Sequence, residues 1–241
     1  PSNGMFRMTT RCAAGHACPA GTEYATQNPC PAGTYSDARN LTKVDECLPC
    51  PASKACPIGS TSATWSDCAQ GYYCPEGTGS PTAYECPAGK YSNRTNLGSD
   101  AECTDCPRGY FCDGGKTTPD GSCEAGYYCP LGSESPTQEP CPAGTYSSRI
   151  NNYIEAQCAD CPPGSYCPTA STDPIECPAG TYSSVNNTEE SGPGSAGVAC
   201  VSCPSGSYCK AGAVVPIACG VGSYSPDSAS SCSDCEAGHY C

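Results

Sequence analysis

Apolar positions along this chain follow neither of the two regular periods. No window sustains the i, i+3, i+4, i+7 recurrence of an amphipathic helix. Proline and glycine, 25 and 27 residues, recur too densely for a long strand to run uninterrupted. Segments of nine to eleven residues such as 75–85 and 130–140 are rich in Gly, Ser, Thr and Pro and predict turns with short extended pieces. Very little helix is expected. Leu, Ile, Val and Phe number only 4, 5, 7 and 2, too few for a conventional core to offset the conformational entropy of ordering 241 residues.

What recurs instead is cysteine, 26 in all. A long element opens Cys-Pro-Ala-Gly-x-Tyr-Ser at Cys30, Cys86, Cys141 and Cys177, with a degenerate copy at Cys219; it closes at Cys47, Cys103, Cys158, Cys200 and Cys232. Three residues after each closing cysteine a short element of the form Cys-x-x-Gly-x-Tyr-Cys begins, Cys50 to Cys56 being a degenerate copy with Ser53 and Ala55 at the Gly and Tyr positions, and the short element also stands alone at Cys12, Cys68 and Cys123. The first part repeats every 55 or 56 residues, the later part more tightly, as in a quasi-one-dimensional array. The period divides the chain into a short element with linker (1–29), two four-cysteine modules each followed by a short element (30–85, 86–140), two four-cysteine modules (141–176, 177–218) and a degenerate one (219–241).

An even cysteine count at this density points to cross-links and an oxidising compartment, so the protein is expected to be extracellular or at the cell surface. Because the short element occurs alone, the simplest pairing closes each element on itself. Short elements then join Cys12 to Cys18, Cys50 to Cys56, Cys68 to Cys74, Cys106 to Cys112, Cys123 to Cys129, Cys161 to Cys167, Cys203 to Cys209 and Cys235 to Cys241. Long elements join Cys30 to Cys47, Cys86 to Cys103, Cys141 to Cys158, Cys177 to Cys200 and Cys219 to Cys232. A crossed pattern, Cys30 with Cys50 and Cys47 with Cys56, stays open at this level. Gly33, Gly89, Gly144 and Gly180 are expected at turns needing positive φ. The tyrosines at a fixed offset, Tyr35, Tyr91, Tyr146, Tyr182, Tyr208 and Tyr224, are expected to cover a disulfide or proline with the hydroxyl at the wet edge.

The sequence Cys-Pro-Ala-Gly-Thr-Tyr-Ser followed by Cys-x-x-Cys-Pro-x-Gly-x-Tyr-Cys resembles the ephrin-receptor-like cysteine-rich repeats, and more distantly tumour-necrosis-factor-receptor and furin-like modules, from about Cys12 to Cys241. The resemblance implies a small disulfide-rich fold, an elongated tandem array of modules with short β-hairpins, and no catalysis. Such modules serve in receptors, adhesins and surface appendages. The free-standing short elements and the strict spacing depart from an animal signalling receptor.

A net charge of −13 without a basic cluster argues against nucleic acid as a partner, and no apolar run reaches the ~20 residues of a membrane segment. The chain has no initiator Met or apolar signal core and closes on a motif cysteine, so it reads as a mature or partial product of a longer protein. Asn40-Leu41-Thr42, Asn93-Arg94-Thr95 and Asn186-Asn187-Thr188 match the N-glycan acceptor pattern, each in a long-element loop; Asn151-Asn152-Tyr153-Ile154 lacks the hydroxyl residue and is expected bare. His16 and His239 occupy a position filled elsewhere by Tyr72, Tyr110 and Tyr127, which reads as aromatic substitution. No metal, cofactor or catalytic set is expected. Trp65, the single tryptophan, is the first place to look for a binding contact, against the blander reading of local packing.

These features lead to one expectation, a non-enzymatic, glycosylated extracellular rod that assembles with copies of itself into a fibril, sheath or surface appendage. The alternative is the stalk or binding ectodomain of a receptor or adhesin. Since cross-links replace a core, with roughly 2–4 kcal/mol from each bridge, full reduction is expected to unfold the chain. Near-native circular dichroism with every thiol free would overturn this.

Overall fold

The computed structural model describes residues 11–186 and 200–241. Among these the chain is a small disulfide-rich array of two-stranded antiparallel hairpins, 12 in number, with helix confined to the three-residue 3-10 turns Val44–Glu46, Asp100–Glu102 and Glu155–Gln157. The repeating unit is a single hairpin. Each opens on a cysteine, forms a strand four and five residues later, loops out, and returns in a strand that ends just before the next opening cysteine. Thus His16–Ala17 pairs with Asn28–Pro29, Thr34–Tyr35 with Leu48–Pro49 and Lys54–Ala55 with Ser66–Asp67, continuing to Ser223–Tyr224 with Ser233–Asp234. Repeats 1 to 12 therefore start at Cys12, Cys30, Cys50, Cys68, Cys86, Cys106, Cys123, Cys141, Cys161, Cys177, Cys203 and Cys219. The 55–56-residue sequence period spans three of these hairpins.

Long and short elements are two versions of this hairpin, distinguished at the residue six beyond the opening cysteine (+6). Where +6 is cysteine, it bridges back across six residues, as in Cys50–Cys56 and Cys68–Cys74. Where +6 is serine, as at Ser36, Ser92 and Ser147, the serine is buried and the bridge runs to a cysteine before the return strand: Cys30–Cys47, Cys86–Cys103 and Cys141–Cys158. Every bridge lies within one repeat, including Cys177–Cys200, and no cysteine is free.

The chain divides into two compact units, one of residues 1–106 with 112–120 and one of 107–111 with 121–241. In the first unit, backbone hydrogen bonds join each repeat to the next. Gly33 N–H donates to Cys56 O (2.8 Å) and Ser36 N–H to Ser60 O (3.0 Å); in return Gly59 N–H donates to Cys30 O and Cys50 N–H to Gly33 O, both at 2.8 Å. In the second unit the same four bonds recur: Gly144 N–H to Cys167 O, Ser147 N–H to Ser171 O, Ala170 N–H to Cys141 O and Cys161 N–H to Gly144 O, at 2.7–3.0 Å.

The +3 residue makes this possible. It occupies the third place of a turn closed by the next residue's N–H, as in Thr34 N–H to Pro31 O (3.0 Å), where a type II turn requires positive φ. Gly71 has φ +80, and a Cβ there would lie 2.6 Å from the carbonyl oxygen of Gly115, two repeats further on. Gly77, at a loop position, has φ +82 but nothing within 4 Å of a Cβ.

Buried cystine takes the place of an apolar core. Three small clusters have one plan, in which the +5 side chain of one repeat packs against the bridge of the next. Ala17 meets Cys30, Leu41 and Cys47; Ala55 meets Cys68 and Cys74, with Tyr72 alongside; Tyr73 meets Cys86, Leu97 and Cys103. Of the tyrosines singled out from sequence, Tyr35, Tyr91, Tyr146, Tyr182 and Tyr208 are half-buried, whereas Tyr224 is exposed. In repeat 8 the Leu41 and Leu97 position holds Asn152, which is buried and donates from Nδ2 to Ser147 Oγ (2.7 Å) and Arg149 O (3.2 Å).

Two glycines separate the effects of strain and space. Gly77→Ala is expected to cost on the order of 1 kcal/mol, from the left-handed backbone alone. Gly71→Ala should cost clearly more, because the Gly115 carbonyl must also move. Thermal unfolding of both variants checks this, and equal losses would refute the close approach.

Candidate functional site: loops of the long repeats

The hairpin scaffold is occupied by its own backbone bonding, so groups free to meet a partner sit in the loops. The loops of repeats 2, 5 and 8 share an internal frame. At +10 each carries asparagine with positive φ, Asn40 (65°), Asn96 (62°) and Asn151 (68°), a conformation asparagine tolerates better than other branched or bulky residues. Asn40 Oδ1 accepts from Cys12 N–H and Asn96 Oδ1 from Cys68 N–H, both at 3.1 Å, so the side chain caps the opening cysteine of the preceding repeat. At +16, Glu46, Glu102 and Gln157 fold back onto the loop. Glu46 accepts from the Thr42 hydroxyl (2.6 Å), Glu102 from Gly98 N–H (3.3 Å) and Gln157 from Tyr153 N–H (2.7 Å). The Thr42 bond holds the Glu46 carboxyl below its usual range, outweighing the opposing effect of desolvation.

The three acceptor motifs fall at different places in this frame. Asn40 occupies the capping position; its Oδ1 is engaged, and its Nδ2, the atom that carries an N-glycan, makes no hydrogen bond among the described residues. Asn96, at the same place in repeat 5, has its amide turned onto Asp67. Hydrogen bonds from Lys54 first and then Asn96 lower the Asp67 pKa. Asn93 lies three residues earlier, is exposed, and takes a bond on its carbonyl from Gln70 Nε2 (2.7 Å). Asn186 is exposed, while Asn187 and Thr188 of its motif lie outside the described residues.

Trp65 lies in the loop of repeat 3, half-buried, its ring edge-on to Tyr35 with centroids 5.1 Å apart and planes at 69°. Asp37 Oδ1 fixes that loop by accepting from Ser62 N–H (2.8 Å). His16 is half-buried, with Nδ1 3.0 Å from Ala14 O. Among the described residues no group of three His, Cys, Asp or Glu side chains is arranged to hold a metal ion, and no helix is long and apolar enough to cross a membrane.

Sequence reasoning missed the character of the loop in repeat 8. Beside it lies a cleft of about 550 Å³ lined by Tyr146, Ser148, Arg149, Ala156 and Gln157. On the loop itself Ile150, Tyr153 and Ile154 are 65%, 39% and 39% exposed. A signal was present in Arg149-Ile150-Asn151-Asn152-Tyr153-Ile154, whose apolar residues replace the polar ones of the other loops.

No known family model matches the chain, and no curated protein matches it either. Its class therefore rests on the fold: a tandem hairpin array stapled by 13 bridges, which suggests a secreted or surface protein of an oxidising compartment.

Glycopeptide mass spectrometry of the secreted protein is expected to find Asn40, Asn93 and Asn186 occupied and Asn151 bare. Thr42→Ala should remove the Asn40 glycan and leave the cap on Cys12, while Asn40→Ala should also lose roughly 1–2 kcal/mol of stability with that cap. An unmodified Asn40 would refute the assignment.

Proposed function

We propose that the chain is a non-enzymatic structural protein of the cell exterior, an N-glycosylated array that assembles with copies of itself into a fibril, sheath or surface appendage. The observation that carries this reading is the recurrence of one four-bond junction through both units, with one bridge closed inside each repeat. Such a design gives mechanical and chemical persistence to backbone that has almost no apolar core. The motif's resemblance to ephrin-receptor-like repeats fits an extracellular module of this kind. The exposed apolar loop of repeat 8 would equally serve a receptor or adhesin stalk, which is the second reading.

Charge sets the condition for assembly. At pH 7 each copy carries −13, and the sequence pI is about 4.4. As pH falls toward that value carboxylates protonate, net charge approaches zero and repulsion between copies fades. Ordered assembly is therefore expected at a lower concentration near pH 4.5 than at pH 7, with the gap narrowing as salt screens the charges. Electron microscopy with light scattering on native, unreduced protein checks this. Dispersed monomers at high concentration under both conditions would overturn the structural reading in favour of the stalk.

A further inference from the structure

We propose that the loop of repeat 8 is the surface through which one copy of the chain docks onto another; this rests on the self-assembly reading above. Three observations converge there. Ile150, Tyr153 and Ile154 stand outward from a loop whose backbone is pinned, since Gln157 Oε1 accepts from both Tyr153 N–H (2.7 Å) and Ile154 N–H (3.3 Å). Their exposure is thus a property of a fixed loop, and covering them removes apolar area from water at little ordering cost.

Charge is the second observation. Arg94 of repeat 5 and Arg149 of repeat 8 hold equivalent positions, eight residues beyond the opening cysteine. Arg94 is consumed internally, its Nη2 donating to Glu102 O at 2.8 Å. The Arg149 guanidinium makes no such bond among the described residues and lines the 550 Å³ cleft beside Tyr146 and Gln157. In a chain with 24 acidic and 11 basic residues, most of the charged groups a second copy can offer are carboxylates, and a guanidinium in an open cleft complements them.

The third is the pattern of acceptor motifs. The equivalent loops of repeats 2, 5 and 10 each contain an N-glycan acceptor sequence, and the loop of repeat 8 does not. A glycan would shield the apolar residues, so its absence leaves this loop open to protein; the shorter long loop of repeat 12, 219–232, also lacks an acceptor but has none of these apolar residues.

The frame supplies its own test. Tyr153→Thr makes Asn151-Asn152 followed by threonine an acceptor in the register of Asn40-Leu41-Thr42, at an exposed asparagine of the same backbone conformation. In the full secreted chain, with occupancy of Asn151 verified by mass spectrometry, sedimentation velocity should show self-association weakened by about tenfold or more, as loss of roughly 1.4 kcal/mol or more of contact would give. Ile150→Ser with Ile154→Ser, and separately Arg149→Glu, should act in the same direction without a glycan, and they carry the test if the glycosylated variant is not secreted. Wild-type assembly with undiminished assembly of these variants would overturn the loop assignment alone. Variants that assemble normally but lose binding to a different protein would also overturn it, pointing to a foreign partner. A wild type that never assembles would instead remove the function reading beneath it.

Discussion

The whole array depends on one residue per repeat, the +3 residue in its positive-φ turn. At Gly33 the N–H donates to the next repeat, the carbonyl accepts from that repeat's opening cysteine, and the carbonyl of Gly77, two repeats on, stands where a side chain would be. Three constraints meet on one backbone unit, and glycine satisfies all of them. Ser53 is the exception at this position, taking φ +74 and keeping its N–H bond to Cys74 O. The four-bond junction is thus a backbone device, to which the side chains of Asn40 and Asn96 add a cap.

Disulfides and hydrogen bonds divide the work. Each bridge closes a loop inside one hairpin, so it limits the unfolded freedom of that hairpin and does nothing directly to fasten it to its neighbours. Fastening comes from the four backbone bonds and from packing a +5 side chain on the next bridge. A cystine buried under Tyr73 or Ala55 then acts as core material as well as a cross-link. This explains how a chain with 4 leucines and 2 phenylalanines stays ordered, and why its ion pairs count for little. Lys54 with Asp67 and Lys90 with Asp105 link the strands of their hairpins at the surface, where screening leaves such pairs weak.

Much of this was legible in the sequence. Cysteine spacing, scarce aliphatics and dense Pro and Gly point to a disulfide-rich array of turns and short extended pieces with little helix, and the resemblance to ephrin-receptor-like repeats implies the hairpins. The single-hairpin repeat was not legible, because the return strands, Asn28–Pro29, Ser66–Asp67 and Gly121–Ser122, have no residue type common to all three and none at a fixed place. Their pairing follows from position before the next cysteine. Cysteines alone therefore define elements by bridge, so the 55–56-residue period is visible in the sequence and its three component hairpins are not. The capping asparagines were hidden for a related reason. Asn40 stands out in the sequence as a glycan acceptor, whereas Asn96, which makes the same cap, matches no acceptor motif and nothing in its sequence context marks it.

Because the junction uses only the first residues of each loop, through about +11, loop length beyond them is free to vary. Successive opening cysteines stand from 16 residues apart, Cys161 to Cys177, to 26 apart, Cys177 to Cys203, yet at both junctions the +3 N–H donates to the next repeat's +6 carbonyl and the next opening cysteine's N–H donates to the +3 carbonyl. A scaffold of this kind isolates change, since a substitution in one loop is felt by that hairpin and the one or two repeats beside it. Different loops can then carry different surface chemistry on one backbone: an acceptor motif at Asn40, an internally bonded arginine at Arg94, an open arginine with apolar neighbours at Arg149. What distinguishes these places is the residue chosen at a handful of loop positions, most of which the four-bond junction leaves unconstrained.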